Sequence, residues 1–264
     1  MKALAARRRH PLATVVLLLL GLMLTGAAYA TVAPDKATAS TTVNANDVQS
    51  GRDLFLANCS TCHGLQAEGT RNGPSLIGVG AAAVDFQVAT GRMPLQKTDV
   101  QAPARGPGEY SDEDVAHLSA YVASLAPGPA IPDQQYLEPL DDPERIAEGY
   151  QLFRTNCAMC HNTVGAGGAL TRGKYAPKLD GVTPQHIYEA MTTGPQSMPV
   201  FNDANISPEQ KQSIISYLKS VENRPTPGGW GLGSFGPVTE GLFVWTVALG
   251  LLIGLAVWLG AKSS

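Results

Sequence analysis

Cysteine is scarce in this sequence: four residues in 264, all inside two CxxC pairs, Cys59/Cys62 and Cys157/Cys160. A disulfide-stapled secreted scaffold would spread its cysteines over distant elements, so that class is disfavoured. Charge is sparse too, at 16% of residues, and aromatics reach only 6%, which leaves little bulk for a large core. Basic residues are in deficit, 19 against 22 acidic, and Lys2, Arg7, Arg8 and Arg9 are the only charges before Asp35. The rest of the chain is therefore more acidic than the net charge of −3 conveys. An acidic body repels a polyanion, which argues against nucleic acid as a partner; its plain effect is solubility. Gly (28) and Pro (19), by contrast, are plentiful, the composition of short helices joined by long ordered loops.

Two segments address a membrane. The first is a basic start, RRRH, followed by PLATVVLLLLGLMLTGAAYA, with Ala28-Tyr29-Ala30 as a cleavage-site pattern. Residues 1–30 fit either a removed signal peptide or a retained N-terminal anchor. The second, Gly241 to Ala261, has no charge between Glu240 and Lys262. As a helix it rises roughly 31 Å, the thickness of a bilayer core. Trp245 and Trp258 lie near its ends, where indoles prefer the interface. A buried core helix is the bland alternative, though soluble helices seldom run so long without charge. Positive charge retained inside predicts a cell-membrane protein with a cytoplasmic C-terminus, so all four cysteines lie on the extracytoplasmic side.

Between these segments one unit is written twice. GRDLFLANCSTCHG (Gly51 to Gly64) aligns with GYQLFRTNCAMCHN (Gly149 to Asn162). Each copy continues into a proline-leucine-glycine stretch (Pro74, Leu76, Gly78; Pro177, Leu179, Gly181) and a Met-Pro pair, Met93-Pro94 and Met198-Pro199. Each closes on a predicted helix, Ser111 to Leu125 and Ser207 to Val221. Ser111 with Asp114, and Ser207 with Gln210, have capping-box spacing. Val115, Leu118 and Val122, and Ile214, Leu218 and Val221, recur at helical spacing. The expected layout is a linker at 31–50, a first domain at 51–126, a Pro- and acid-rich linker at 127–144, and a second domain at 145–223. A Gly/Pro-rich linker at 224–240 and a transmembrane helix at 241–261 complete it. Units this small, without disulfides, usually need a cofactor or metal to complete their cores.

Three chemistries compete for the CxxCH motifs. A thioredoxin-like dithiol needs a βαβ setting, which neither copy has, and leaves the His after each pair unexplained. A zinc site needs four ligands, but each copy clusters only two Cys and one His, with His117 or His186 as distant additions. Covalent haem attachment accounts for all three residues. On a helix the two thiols lie one turn apart and the imidazole follows at i+4 from the first, so all three share a face. Cys59, Cys62, Cys157 and Cys160 are thus candidate thioether anchors for two covalently bound haem c groups. His63 and His161 are the candidate proximal iron ligands.

The sixth iron position follows by elimination among six methionines. Met1 and Met23 lie in the leader, Met159 sits between the haem-bonding cysteines, and Met191 falls in a helix-like stretch as core packing. Met93 and Met198 remain, one per unit, each before proline in a glycine-containing loop; an apolar plug is the alternative for either. His/Met ligation raises a haem potential. His117, His186 and His10 read as solvated, capping or leader residues. With both irons six-coordinate no substrate position is open, and no catalytic residue is expected.

Both units resemble small class I cytochrome c domains, each three to five helices around a haem. The paired domains, the lead-in Gly228 to Gly241 and the single C-terminal helix together resemble the dihaem cytochrome c subunit of the actinobacterial cytochrome bcc complex, a menaquinol–cytochrome c reductase. That resemblance implies an all-α fold of two tandem cytochrome c domains plus a C-terminal transmembrane helix. It also implies a cytochrome b subunit and a Rieske iron–sulfur subunit as partners, and electron delivery toward a terminal cytochrome c oxidase. Rival readings are a dihaem peroxidase, which needs one open haem; a cbb3-type oxidase subunit, which is anchored at its N-terminus; and a stand-alone membrane-tethered carrier.

Overall fold

The computed structural model describes residues 11–32, 44–97, 99–106, 108–222 and 237–261. The basic start, Lys262 and most of the Gly/Pro-rich lead-in to the last helix lie outside these residues. The N-terminal 40 residues form a unit of their own, containing helix α1, Pro11–Val32.

The first repeat folds as α2 (Ala45–Asn58), α3 (Ser60–His63), α4 (Ala81–Ala89) and α5 (Asp112–Leu125). The second follows the same plan: α6 (Pro143–Asn156), α7 (Ala158–His161), α8 (Pro184–Thr193) and α9 (Pro208–Glu222). It adds a two-residue hairpin, β1 (Gly168–Ala169) against β2 (Tyr175–Ala176), with Gly168 opposite Ala176. Both closing helices begin on their expected boxes. Ser111 Oγ accepts from the Asp114 amide, and Asp114 Oδ2 accepts from the Ser111 amide. Ser207 and Gln210 exchange the equivalent pair at 3.3 and 3.0 Å.

In each repeat the first and last helices cross almost backbone to backbone, and a glycine makes this possible. A Cβ placed on Gly51 would stand 1.9 Å from the His117 carbonyl oxygen; one on Gly149 would stand 1.9 Å from that of Ser213. One turn on, Phe55 packs on Tyr121 with ring centroids 5.2 Å apart, and Phe153 packs on Tyr217 at 5.6 Å. Both phenylalanines are fully buried. Around them lie Val115, Leu118 and Val122 in the first core, and Ile187, Met191, Ile214 and Leu218 in the second.

The segment between the repeats is pinned to both. Pro129 accepts from the Ala82 amide at the start of α4. Leu137 is buried in the second core, and Gln212 Nε2 donates to the Gln135 and Glu138 carbonyls. The repeats also touch directly. Gln101 exchanges two hydrogen bonds with the backbone of Tyr175, and Gln196 two with the backbone of Ala102. Helices α4 and α8 pack against each other.

One buried charge was not foreseen. Lys211 is fully buried, pairs with Asp203, and lies 5.0 Å from the centroid of the Tyr188 ring. It ties the loop after Met198 to α9. Lys211→Met keeps the stem but removes the cation; Asp203 is exposed and rehydrates, so the loss is below that of a fully buried pair. A destabilisation of about 1–2 kcal/mol is expected, read from the denaturant midpoint of the second repeat.

The C-terminal segment is a continuous helical rod: α10 (Pro237–Phe243), a π turn (Val244–Ala248) and α11 (Leu249–Gly260). The 22 residues Thr239–Gly260 are long and apolar enough to cross a membrane, and none of them is buried. Among the described residues no other helix meets that test; α1 carries only a shorter apolar stretch, Val15–Ala28.

Candidate functional site: two CxxCH turns

The two CxxCH turns begin on the same backbone hydrogen bonds. Helix α2 ends as the Cys59 amide donates to Phe55, and the chain restarts in α3 with the His63 amide donating to Cys59 at 3.0 Å. In the second copy Cys157 donates to Phe153 and His161 to Cys157 at 2.9 Å. Both turns then reverse through a positive φ, Gly64 at 84° and Asn162 at 62°. With ψ at 159° and 165° both lie in an extended positive-φ region that glycine reaches freely, so Asn162 holds in the second copy a backbone strained for any residue with a side chain.

The loop after each turn folds back beneath the imidazole. Leu76 donates to the Ala67 carbonyl, and Leu179 to that of Gly165, each at 2.8 Å. This delivers the Pro74 carbonyl to His63 Nδ1 at 2.7 Å, and the Pro177 carbonyl to His161 Nδ1 at 3.0 Å. A carbonyl only accepts, so Nδ1 carries the hydrogen and Nε2 presents its lone pair. Metal-binding imidazoles are commonly oriented by such a bond. Glycine is required alongside: a Cβ on Gly73 would come within 2.8 Å of the Cys62 carbonyl oxygen, and one on Gly168 within 2.9 Å of that of Cys160.

The electrostatics suit ligation more than redox. Burial lowers the His161 pKa, which favours the neutral, ligating imidazole. Burial also raises Cys59, and pushes Cys157 up to about 12, with Cys62 and Cys160 adding to the respective rises. Thiols held protonated are poor nucleophiles, the reverse of a reactive dithiol. All four cysteines are free. Among the described residues neither CxxCH belongs to a cluster of three metal-binding side chains, as a zinc site would require.

Met93 and Met198 are half-buried, each packed on the core of its own repeat. The loop beyond Met198 is held by the Phe201 amide donating to Met191. Met191 is buried in the core, while Met159 stands 93% exposed. His117 lies 3.9 Å from Asp47. An open groove of about 660 Å³ runs beside Cys160, lined by Leu170, Arg172, Lys174 and Ser197. Paired free thiols, an oriented imidazole and a glycine-cleared approach fit a covalently anchored haem at each turn.

These features, on this helical plan, define a tandem c-type cytochrome. The family described as cytochrome c oxidase, cbb3-type, subunit III matches twice, at residues 46–122 and 144–218. Full-length relatives are more specific. The cytochrome bc1 complex cytochrome c subunit of Corynebacterium diphtheriae is 42% identical over 278 residues, covering 99% of both chains. The protein of the same name from Mycobacterium tuberculosis is 43% identical over 263 residues, 97% of this chain and 93% of its own. The cbb3-type cytochrome c oxidase subunit CcoP of Helicobacter pylori is 23% identical over 182 residues, 66% of this chain and 59% of its own. The chain belongs to the family of cytochrome bc1 complex cytochrome c subunits. It is a membrane electron-transfer cytochrome, and its domains are of the kind that holds haem c covalently.

Two features of the site went unread in the sequence. Pro74 and Pro177 stand out in the repeat, but their carbonyls were given no role; the signal was a proline recurring after each CxxCH. His186, read as a capping or solvated residue, instead faces Asp85 across the boundary between the domains, with Nε2 to Oδ1 at 3.6 Å.

Proposed function

We propose that the chain holds two haem c groups and relays electrons from the iron–sulfur protein of a menaquinol-oxidising complex toward a terminal cytochrome c oxidase. Cys59 and Cys62 would anchor the first haem, with His63 and Met93 on its iron. Cys157 and Cys160 would anchor the second, with His161 and Met198. The observation that carries this reading is the matched pair of Nδ1-to-proline-carbonyl bonds, which aims one Nε2 lone pair per domain. The haems supply one-electron chemistry; the polypeptide fixes their ligands, shields them and sets their separation. The reciprocal bonds of Gln101 and Gln196 hold the domains together and support a fixed separation. Their domain limits are taken as 51–126 and 145–223, on the extracytoplasmic side, with the helix at 241–261 leading to a cytoplasmic C-terminus. Partners in this reading are a cytochrome b subunit, a Rieske iron–sulfur subunit and the oxidase; the relatives' name, a subunit of a bc1 complex, supports partners within a complex.

Extraction in mild detergent tests the assignment. A cytochrome b and an iron–sulfur protein should accompany the chain in fixed proportion, and the ferric spectrum should be low-spin throughout. Isolation of the chain consistently free of both proteins would remove the subunit reading. A stable high-spin haem with rapid peroxide turnover would restore the peroxidase.

Ligand exchange tests the iron assignment. Met198→His should lower one of the two potentials by on the order of 0.1 V or more, within the ~0.8 V range that axial ligands command. The other potential should stay in place, and Met159→Leu should move neither.

A further inference from the structure

The junction between the domains gathers three metal-binding side chains that the electron-transfer reading does not use. Asp85 of α4 and His186 and Glu189 of α8 bring their ligand atoms within 4.8 Å of one another. His186 and Glu189 are three apart on one helix and so share a face. Glu189 is completely buried, and its Oε2 has no hydrogen-bond partner. Gln185 orders the carboxylates: its Nε2 donates to Asp85 Oδ1 and to Glu189 Oε1, each at 3.0 Å. Phe86 meets the His186 ring edge-on, 6.1 Å between centroids. The Asp85 and His186 side chains keep 14% and 19% of their surface open, which leaves a route in from solvent.

Two carboxyl groups, one wholly buried and half unsatisfied, call for a positive charge between them. A single proton could neutralise one carboxylate, but it would leave the imidazole 3.6 Å from Asp85, beyond hydrogen-bond reach. A cation drawing on all three groups satisfies each of them. One imidazole and two carboxylates, without sulfur, is a donor set for zinc and its divalent neighbours.

We propose that Asp85, His186 and Glu189 bind a zinc-class divalent cation that bridges the two cytochrome domains. Gln185 is a positioning residue, holding the inner carboxylate oxygens so that Glu189 Oε2 is left for the metal. None of the four is a proposed haem ligand, so this site and the haem assignment stand or fall separately.

The test uses the full-length, haem-loaded protein, stripped on a chelating resin and titrated with Zn²⁺ alone. One zinc per chain is expected, with only nitrogen and oxygen neighbours at about 2.0–2.2 Å in the zinc K-edge spectrum. Bound zinc should raise the unfolding midpoint. Glu189→Gln, which imitates the neutral acid, and Asp85→Asn, on the other domain, should each weaken zinc binding by at least about tenfold at unchanged haem content. Absence of stoichiometric zinc would overturn the proposal, as would sulfur around the metal or undiminished binding in both variants. Should a variant lose haem or fold poorly, the stoichiometry and K-edge spectrum of the unaltered chain decide.

Discussion

Gly149→Val is expected to destabilise the second cytochrome domain severely. The Cβ of any replacement would start 1.9 Å from the Ser213 carbonyl oxygen and 3.0 Å from the Ile214 amide nitrogen. Neither atom is the end of a flexible side chain; both belong to the backbone of α9. Relief requires the helices to separate at their crossing, which also pulls Phe153 from Tyr217 and opens the core around Ile214. Overpacking in a tight core costs about 1–3 kcal/mol and occasionally more, and a backbone clash with a branched side chain belongs at or above the top of that range. Against a total of roughly 5–15 kcal/mol, and toward the low end for a domain this small, that removes more than half of the stability margin. Gly149→Ala should be milder, and Gly51→Val should do to the first domain what Gly149→Val does to the second. Limited proteolysis with mapping of the cut sites distinguishes the domains. Unfolding midpoints of Gly149→Val within about 1 kcal/mol of the original would contradict the crossing described here.

The second large effect is expected from replacing both Cys157 and Cys160 with serine. On the proposed attachment the chain then keeps only the haem anchored at Cys59 and Cys62, and the covalent haem content falls by half. The domain itself should suffer, because on that attachment the haem would complete a small core. Exposure of His161, now buried, and of the Pro177 loop should increase hydrogen exchange around the turn, while the first domain stays protected. Serine at Cys59 and Cys62 should give the mirror result. Full covalent haem content in either double variant would mean that the anchors lie elsewhere.

Much of this organisation was legible because the chain repeats itself. A lone CxxCH is ambiguous, but two in one context, each followed by proline and then Met-Pro, narrow the chemistry by sequence alone. The capping boxes at Ser111 and Ser207 could be read because their partners lie three residues away, within reach of local pattern. Gly51 and Gly149 were visible in the alignment of the copies, yet their reason was not. A glycine on a helix face signals a close crossing only when the opposite helix is known, and that helix lies some sixty residues further along. Lys211 escaped for a similar reason: a lysine on a polar-looking helix reads as solvated until Asp203 and Tyr188 are seen to enclose it. The junction of Asp85, Gln185, His186 and Glu189 was the least accessible. Its members come from both copies at non-equivalent positions, so neither periodicity nor the internal repeat draws them together.

The association of the domains bears on function. Diffusing cytochromes present one haem domain to alternating partners. Here the second domain is fastened to the first through Gln101, Gln196 and the ordered segment around Leu137, and a membrane-length helix follows in the same chain. On the proposed relay, a fixed path would replace the search of a free carrier, at the expense of serving fewer partners.

The most direct test of the central claim is the intact mass of the denatured, purified chain. Two haem groups should add their full mass to the mature polypeptide and survive denaturation and reduction, as thioether links do. A mass showing one haem, none, or only the loss of hydrogens expected for two disulfides would contradict the account.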